Sequence, residues 1–166
     1  MRLYYDVFPT EMGWFSALGS EAGLRYASLR PSPQEAVESL GSLMDGAEED
    51  SGALMVVREI VQAFVLGESY RLEEISLDLE GSPLFHRAAW EACRSIPLGE
   101  TRSYAWLAAN AGRPGAYRAA GQAMARNRLS LVVPCHRVIG SDGSLTGFGG
   151  GLDKKRWLLR HEGVDV

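Results

Sequence analysis

The sequence predicts an α/β protein of two domains: a small sheet-and-helix domain over residues 1–80 and a mostly helical domain over residues 81–166 that contains a helix-turn-helix. Three observations carry that expectation. Short aromatic and apolar runs separated by turn residues fill the first thirty positions, the pattern of an antiparallel sheet. Beyond residue 84 apolar residues recur at helical spacing instead. Charge divides the chain as well: residues 1–86 carry 5 Arg against 15 Asp and Glu, residues 87–137 carry 8 Arg against 2 Glu, and the remainder balances at 4 against 4, giving −4 overall. A chain of 166 residues that is 46% hydrophobic can bury one good core, or two small ones sharing an interface.

In the first domain, residues 3–8, 13–18 and 23–29 read as strands. Ser32-Pro33-Gln34-Glu35 supplies a capping box with Pro at the first helical position, opening a short helix through about Leu43. Asp45 to Asp50 reads as an acidic loop. Val57, Ile60, Val61, Phe64 and Val65 share a helical face between Leu54 and Leu66, and Gly67 ends that helix. Ile75, Leu77 and Leu79 alternate with polar residues as an edge strand does. No His or Cys precedes His86, so this half offers neither a thiol nor an imidazole.

The boundary falls near Gly81-Ser82-Pro83. Phe85, Ala89, Ala92, Cys93 and Ile96 line one face of a helix stopped by Pro97, and Cys93 on that stripe reads as core. Ser103 caps a helix from Tyr104 to Ala111, and Gly112-Arg113-Pro114-Gly115 turns the chain into another from about Ala116 to Arg126. Two short helices joined by a Gly-containing turn inside an Arg-rich segment read as a helix-turn-helix. The second has a thin surface made by Ala116, Ala119, Ala120, Gly121, Ala123 and Ala125, although Gly121 costs about 1 kcal/mol relative to Ala. Two uses fit so bare a helix: close packing on another helix, or approach to the minor groove of DNA, only about 6 Å wide.

Leu129 to Val133 is an apolar, β-branched run that predicts a buried strand, and Pro134 ends it. Cys135 and His136 follow. Successive strand residues point to opposite faces, so these two can cooperate only if Pro134 turns the chain out of the strand. A thiol attacks as thiolate, and a neighbouring imidazole favours that form. Taken as a dipeptide, Cys-His also fits two ordinary core residues.

The string Pro134-Cys135-His136-Arg137-Val138, followed by Gly147-Phe148-Gly149-Gly150-Gly151 and by Leu158-Leu159-Arg160-His161-Glu162-Gly163, resembles the active-site signature of the O6-alkylguanine-DNA alkyltransferases, also called methylated-DNA–protein-cysteine methyltransferases. The similarity runs in order from about Asp78 to Gly163. It implies a ribonuclease-H-like N-terminal domain and a winged-helix-like helix-turn-helix domain carrying the cysteine. It also implies repair by direct, irreversible transfer of a methyl or other alkyl group from O6-alkylguanine to Cys135, and leaves open whether O4-alkylthymine is a further substrate. The protein would act once and need no cofactor.

The resemblance assigns roles residue by residue. His136 would act as base and Glu162 would fix its tautomer; independently, a carboxylate in the last turn of a helix from Asp153 to Glu162 is opposed by the macrodipole and calls for a cationic partner. Tyr104 would hydrogen-bond the rotated base, Val138 its exocyclic amine, and the loop at Phe148 and Gly149 would close over O6. Asn127 would link the recognition helix to the active-site strand, and Arg118 would fill the gap left by the flipped nucleotide. Ala116, Ala119, Gly121, Gln122 and Arg126 would face the minor groove of lesion-bearing duplex DNA. Tyr117, Arg128 and Phe148 depart from residues common in the family.

The N-terminal half has no Cys and no His before His86, which excludes the structural zinc of some relatives; no metal site is expected. Two cysteines without C-x-x-C spacing, and no long apolar run, fit a cytoplasmic monomer that meets no membrane. The competing readings are a lesion-binding alkyltransferase-like protein without transfer, a Cys-His-Glu hydrolase, and a plain helix-turn-helix regulator.

Overall fold

The computed structural model describes residues 1–148 and 150–166, arranged as two units. One comprises Met1–Glu80 with Arg128–Val132, the other Gly81–Asn127 with Val133–Val166. Each follows from its own pattern of burial.

In the first unit β1 (Tyr4–Thr10), β2 (Gly13–Ser20) and β3 (Gly23–Arg30) form an antiparallel meander with Phe8 opposite Phe15 and Ala17 opposite Ala27. The two Phe rings lie 5.2 Å apart in the core. Gly23 has φ +149, and a Cβ there would sit 2.5 Å from the Ser76 carbonyl oxygen, so only glycine fits the turn. α1 (Pro33–Leu40) opens on the Ser32 cap read from sequence, with Ser32 Oγ accepting from the Glu35 N–H at 3.2 Å; the Glu35 carboxylate takes the Ser32 hydroxyl, at 2.9 Å, where the predicted capping box has it take the Ser32 backbone N–H. The α-helix stops at Leu40, and Gly41–Met44 tightens into a 3₁₀ turn where the sequence predicted helix to Leu43. α2 (Met55–Leu66) buries Ile60, Val61, Phe64 and Val65 and ends on Gly67 in the left-handed conformation.

Three expectations need correction here. Part of the acidic stretch 45–50 is a strand: β4 (Glu48–Glu49) pairs in parallel with Tyr4 and Tyr5, giving the sheet order β3-β2-β1-β4. A two-residue edge with both side chains exposed has no apolar alternation to betray it. Residues 75–79 make only a bridge at Leu77 to Leu24, and residues 129–133 only a bridge at Leu129 to Ala27. Leu129, Leu131, Val132 and Val133 are all buried, and Leu131 takes φ 69. The apolar run reported burial, which a turn under a core satisfies as well as a strand does.

The second unit is mainly helical. α3 (Leu84–Arg94) buries Ala89, Trp90 and Cys93, and the Trp90 indole N–H donates to the Ala123 carbonyl at 2.9 Å. β5 (Arg102–Ser103) leads into α4 (Tyr104–Asn110), capped by Ser103 Oγ accepting from the Trp106 N–H at 3.1 Å. α5 (Tyr117–Ala125) packs Ala120, Ala123 and Met124 inward. β6 (Val138–Ile139) pairs in parallel with β5, and α6 (Leu152–His161) closes the unit. Among the described residues no helix is long and apolar enough to cross a membrane.

Candidate active site

The chain reaches Cys135 through a tight local turn. Pro134 has φ −79 and ψ 65, and the Cys135 N–H donates to the Val133 carbonyl at 2.8 Å, which is an inverse γ-turn. Cys135–Arg137 then form one 3₁₀ turn, closed by the Arg137 N–H on the Pro134 carbonyl at 2.9 Å. Three residues per turn rotate successive side chains by about 120°, so Cys135, His136 and Arg137 fan out instead of alternating. Cys135 is half-buried while His136 and Arg137 are buried.

His136 and Glu162 are brought together. His136 Nε2 lies 2.9 Å from Glu162 Oε2, with both side chains out of solvent. Arg137, which sequence reasoning left without a role, holds the same carboxylate with two donors, Nε to Oε1 and Nη2 to Oε2, each at 2.8 Å. Its Nη1 donates to the Ile96 carbonyl at 2.8 Å. Burial opposes charge on Glu162, but the Arg137 and His136 bonds outweigh it and pull the carboxyl down to about 2. Burial lowers the His136 imidazole, against the opposing pull of Glu162. At neutral pH the pair is therefore carboxylate and neutral imidazole. A carboxylate can only accept, so Nε2 carries the proton and Nδ1 keeps a lone pair.

Lys155 is the second residue that sequence reasoning missed. It sits in a Lys-Lys-Arg run that looks solvent-facing, yet it is 0% exposed. Its Nζ donates to the Val138 carbonyl at 2.7 Å and the Thr146 carbonyl at 2.8 Å. A signal was present: at helical spacing position 155 shares a face with Leu158, Leu159 and Glu162, all buried. The two carbonyls replace part of the hydration the ammonium gives up, and burial of those two leucines, at about 1.5–3 kcal/mol each, works in the same direction. Burial pushes the Cys135 thiol up, while a hydrogen bond from Asn127 and the Lys155 charge work the other way. Among the described residues no cluster of three or more His, Cys, Asp or Glu is placed to hold a metal ion.

The remaining predicted residues fall into two places. Asn127 donates from Nδ2 to the Val133 carbonyl at 2.9 Å, the same oxygen that closes the γ-turn. Tyr104 is half-buried, with its hydroxyl 3.4 Å from the Thr146 carbonyl; Val138 is buried and Phe148 half-buried. Gly149 lies outside the described residues. On α5, Arg118, Gln122 and Arg126 are exposed, and Ala116, Ala119 and Gly121 are half-buried. A Cβ built on Gly121 would meet nothing within 4 Å, so close helix packing is not what this glycine serves.

Residues 84–164 match the family model for the 6-O-methylguanine DNA methyltransferase DNA-binding domain. A methylated-DNA–protein-cysteine methyltransferase of Methanosarcina acetivorans is 36% identical over 97% of this chain and 99% of its own length. One from Mycolicibacterium paratuberculosis is 49% identical over 70% of each chain. Among solved structures, Mycobacterium tuberculosis OGT in complex with DNA superposes with a TM-score of 0.80 at 35% identity, covering 96% of this chain and 92% of that one. Likeness of this extent, reaching across both units and through the Cys135 turn, shows that the chain belongs to the methylated-DNA–protein-cysteine methyltransferase family.

Proposed function

We propose that this protein repairs duplex DNA by moving the alkyl group of an O6-alkylguanine onto Cys135 Sγ, with the second unit carrying both DNA binding and the acceptor thiol and the first supporting it. The observation that carries the reading is the buried Arg137–Glu162–His136 relay that leaves Nδ1 basic on the residue next to a half-buried thiol. In the reaction Nδ1 takes the Sγ proton, directly or across one water, and Glu162 stabilises the imidazolium. The thiolate attacks the alkyl carbon: the C–S bond forms, the O6–C bond breaks, and the bonding pair stays on the purine. The purine then gains a proton, with the Tyr104 phenol as donor and the imidazolium as source. The product is a thioether without a good leaving group, so each molecule acts once.

The exposed side of α5 supports approach to the minor groove. A Cβ on Gly121 would meet open space, and Arg118, which would occupy the stack when the nucleotide rotates out, is exposed on the same helix as Gln122, with Arg126 exposed at its end. Asn127 ties the end of that helix to the γ-turn, and Val138 and the Phe148 loop would frame the base.

The test is intact-protein mass after incubation with a duplex containing one O6-methylguanine, for wild type and Cys135→Ser. A stoichiometric gain of one methyl in place of hydrogen, mapped to the Cys135 peptide and absent from the variant, is expected. Lesion-selective binding without mass change would instead make this a recognition protein.

A further inference from the structure

The basic segment 87–137 carries eight arginines, and their surroundings differ. Arg137 is engaged with Glu162, and Arg102 Nη2 with the Glu100 carboxylate at 2.8 Å. Arg87, Arg113, Arg118 and Arg126 make no salt bridge among the described residues. Of these four, Arg113 is the one whose guanidinium lies over an aromatic ring, 5.1 Å from the Phe85 centroid. We propose that Arg113, mounted on Phe85, binds a backbone phosphate of the duplex; the inference rests on the alkyltransfer reading above.

The geometry suits a phosphate on three counts. The main chain at Arg113 is fixed: its N–H donates to the Ala108 carbonyl at 2.9 Å, its carbonyl accepts from the Ala116 N–H at 3.0 Å, and Gly112 and Gly115 turn at φ 90 and 83. Arg113 is exposed over the ring and makes no salt bridge among the described residues, so its N–H groups are open to the fork that a phosphate engages. Ordering a free Arg side chain forfeits rotamer entropy, and the ring supplies part of that order before DNA arrives. Arg102 is the internal contrast. It too lies over a ring, 5.6 Å from Trp106, but its edge is occupied by Glu100. Arg113 is exposed in the turn immediately before α5, the helix that carries the bare face.

The experiment is duplex affinity measured over about 50–200 mM salt for wild type, Arg113→Gln, Arg102→Gln and Phe85→Leu, beside the methyl-transfer assay on wild type. Loss of one phosphate contact lowers the slope of log affinity against log salt by about 0.9, and Arg113→Gln is expected to show it. Arg102→Gln keeps the wild-type slope. Phe85→Leu retains the charge and the slope but binds about 2–5-fold more weakly, the worth of an exposed cation–π contact. Arg113 is exposed, so its variant melts with wild type. A wild-type slope in Arg113→Gln, an equal fall in Arg102→Gln, or wild-type affinity in Phe85→Leu overturns the proposal. A wild type that gains no methyl from the lesion duplex overturns the function instead.

Discussion

In each unit a buried carboxylate meets an arginine and one further side chain. In the first, Asp78 Oδ2 accepts from Arg25 Nη1 at 2.8 Å and from the Ser20 hydroxyl at 2.5 Å. In the second, Glu162 accepts from Arg137 and from His136. Burial opposes ionisation at both, and the bonds prevail at both. The difference lies in the third group. A serine hydroxyl cannot change charge, so the Asp78 cluster can only hold Ser20 and Arg25 in place. An imidazole can, so the same motif at Glu162 passes its field to a group able to take up a proton, one residue from Cys135. Structure and chemistry here differ by one side chain.

Removing that side chain is the sharpest way to test the contrast. His136→Gln can still bond Glu162 but cannot accept the thiol proton, and a fall of about 10²–10⁴ in the rate of Cys135 methylation is expected in single-turnover assays. Ser20→Ala should leave that rate unchanged per folded molecule. Stability comes next. Glu162→Gln strands the buried Arg137 charge and should cost about 3–5 kcal/mol in denaturant unfolding, against about 1–2 kcal/mol for Asp78→Asn, because Arg25 keeps more access to water.

Acid should weaken the Glu162 cluster as well. A carboxyl whose folded value lies below its ordinary 4.5 adds stability above 4.5 and loses it as pH falls toward the folded value, here about 2 for Glu162. That interval corresponds to about 3 kcal/mol. Melting at stepped pH should show this loss in the wild type and not in Glu162→Gln. The smallest effect is expected at Gly121→Ala. With nothing within 4 Å of the new methyl, the helix should gain about 0.5–1 kcal/mol while duplex affinity falls. A gain in both would remove α5 from the DNA interface.

The hairpins of the meander, the Ser32 cap of α1 and the two helices flanking Gly112–Gly115 were legible because each is written in local residues. What escaped depends on distant partners. Glu48–Glu49 is a strand only because Tyr4 and Tyr5 lie beside it, and Leu129–Val133 is a turn because burial on every side does not require a hydrogen-bonded neighbour. At the site, the partner of Glu162 was half readable: the macrodipole argument called for a cation, and the family resemblance named the imidazole. The cation that bears most of the charge is Arg137, and nothing in its position beside His136 distinguishes it from a surface arginine. Lys155 was passed over among its charged neighbours, although its spacing to Leu158 and Leu159 placed it inside.

The oxygen of Thr146 receives two donors of unequal standing. Lys155 reaches it at 2.8 Å from a buried, fixed position, whereas the Tyr104 hydroxyl stands at 3.4 Å, near the outer limit of a hydrogen bond. The carbonyl is thus already satisfied without the phenol. Tyr104 is a spare donor, parked where its departure would orphan nothing, so a change of partner there sacrifices almost no bonding in the free protein.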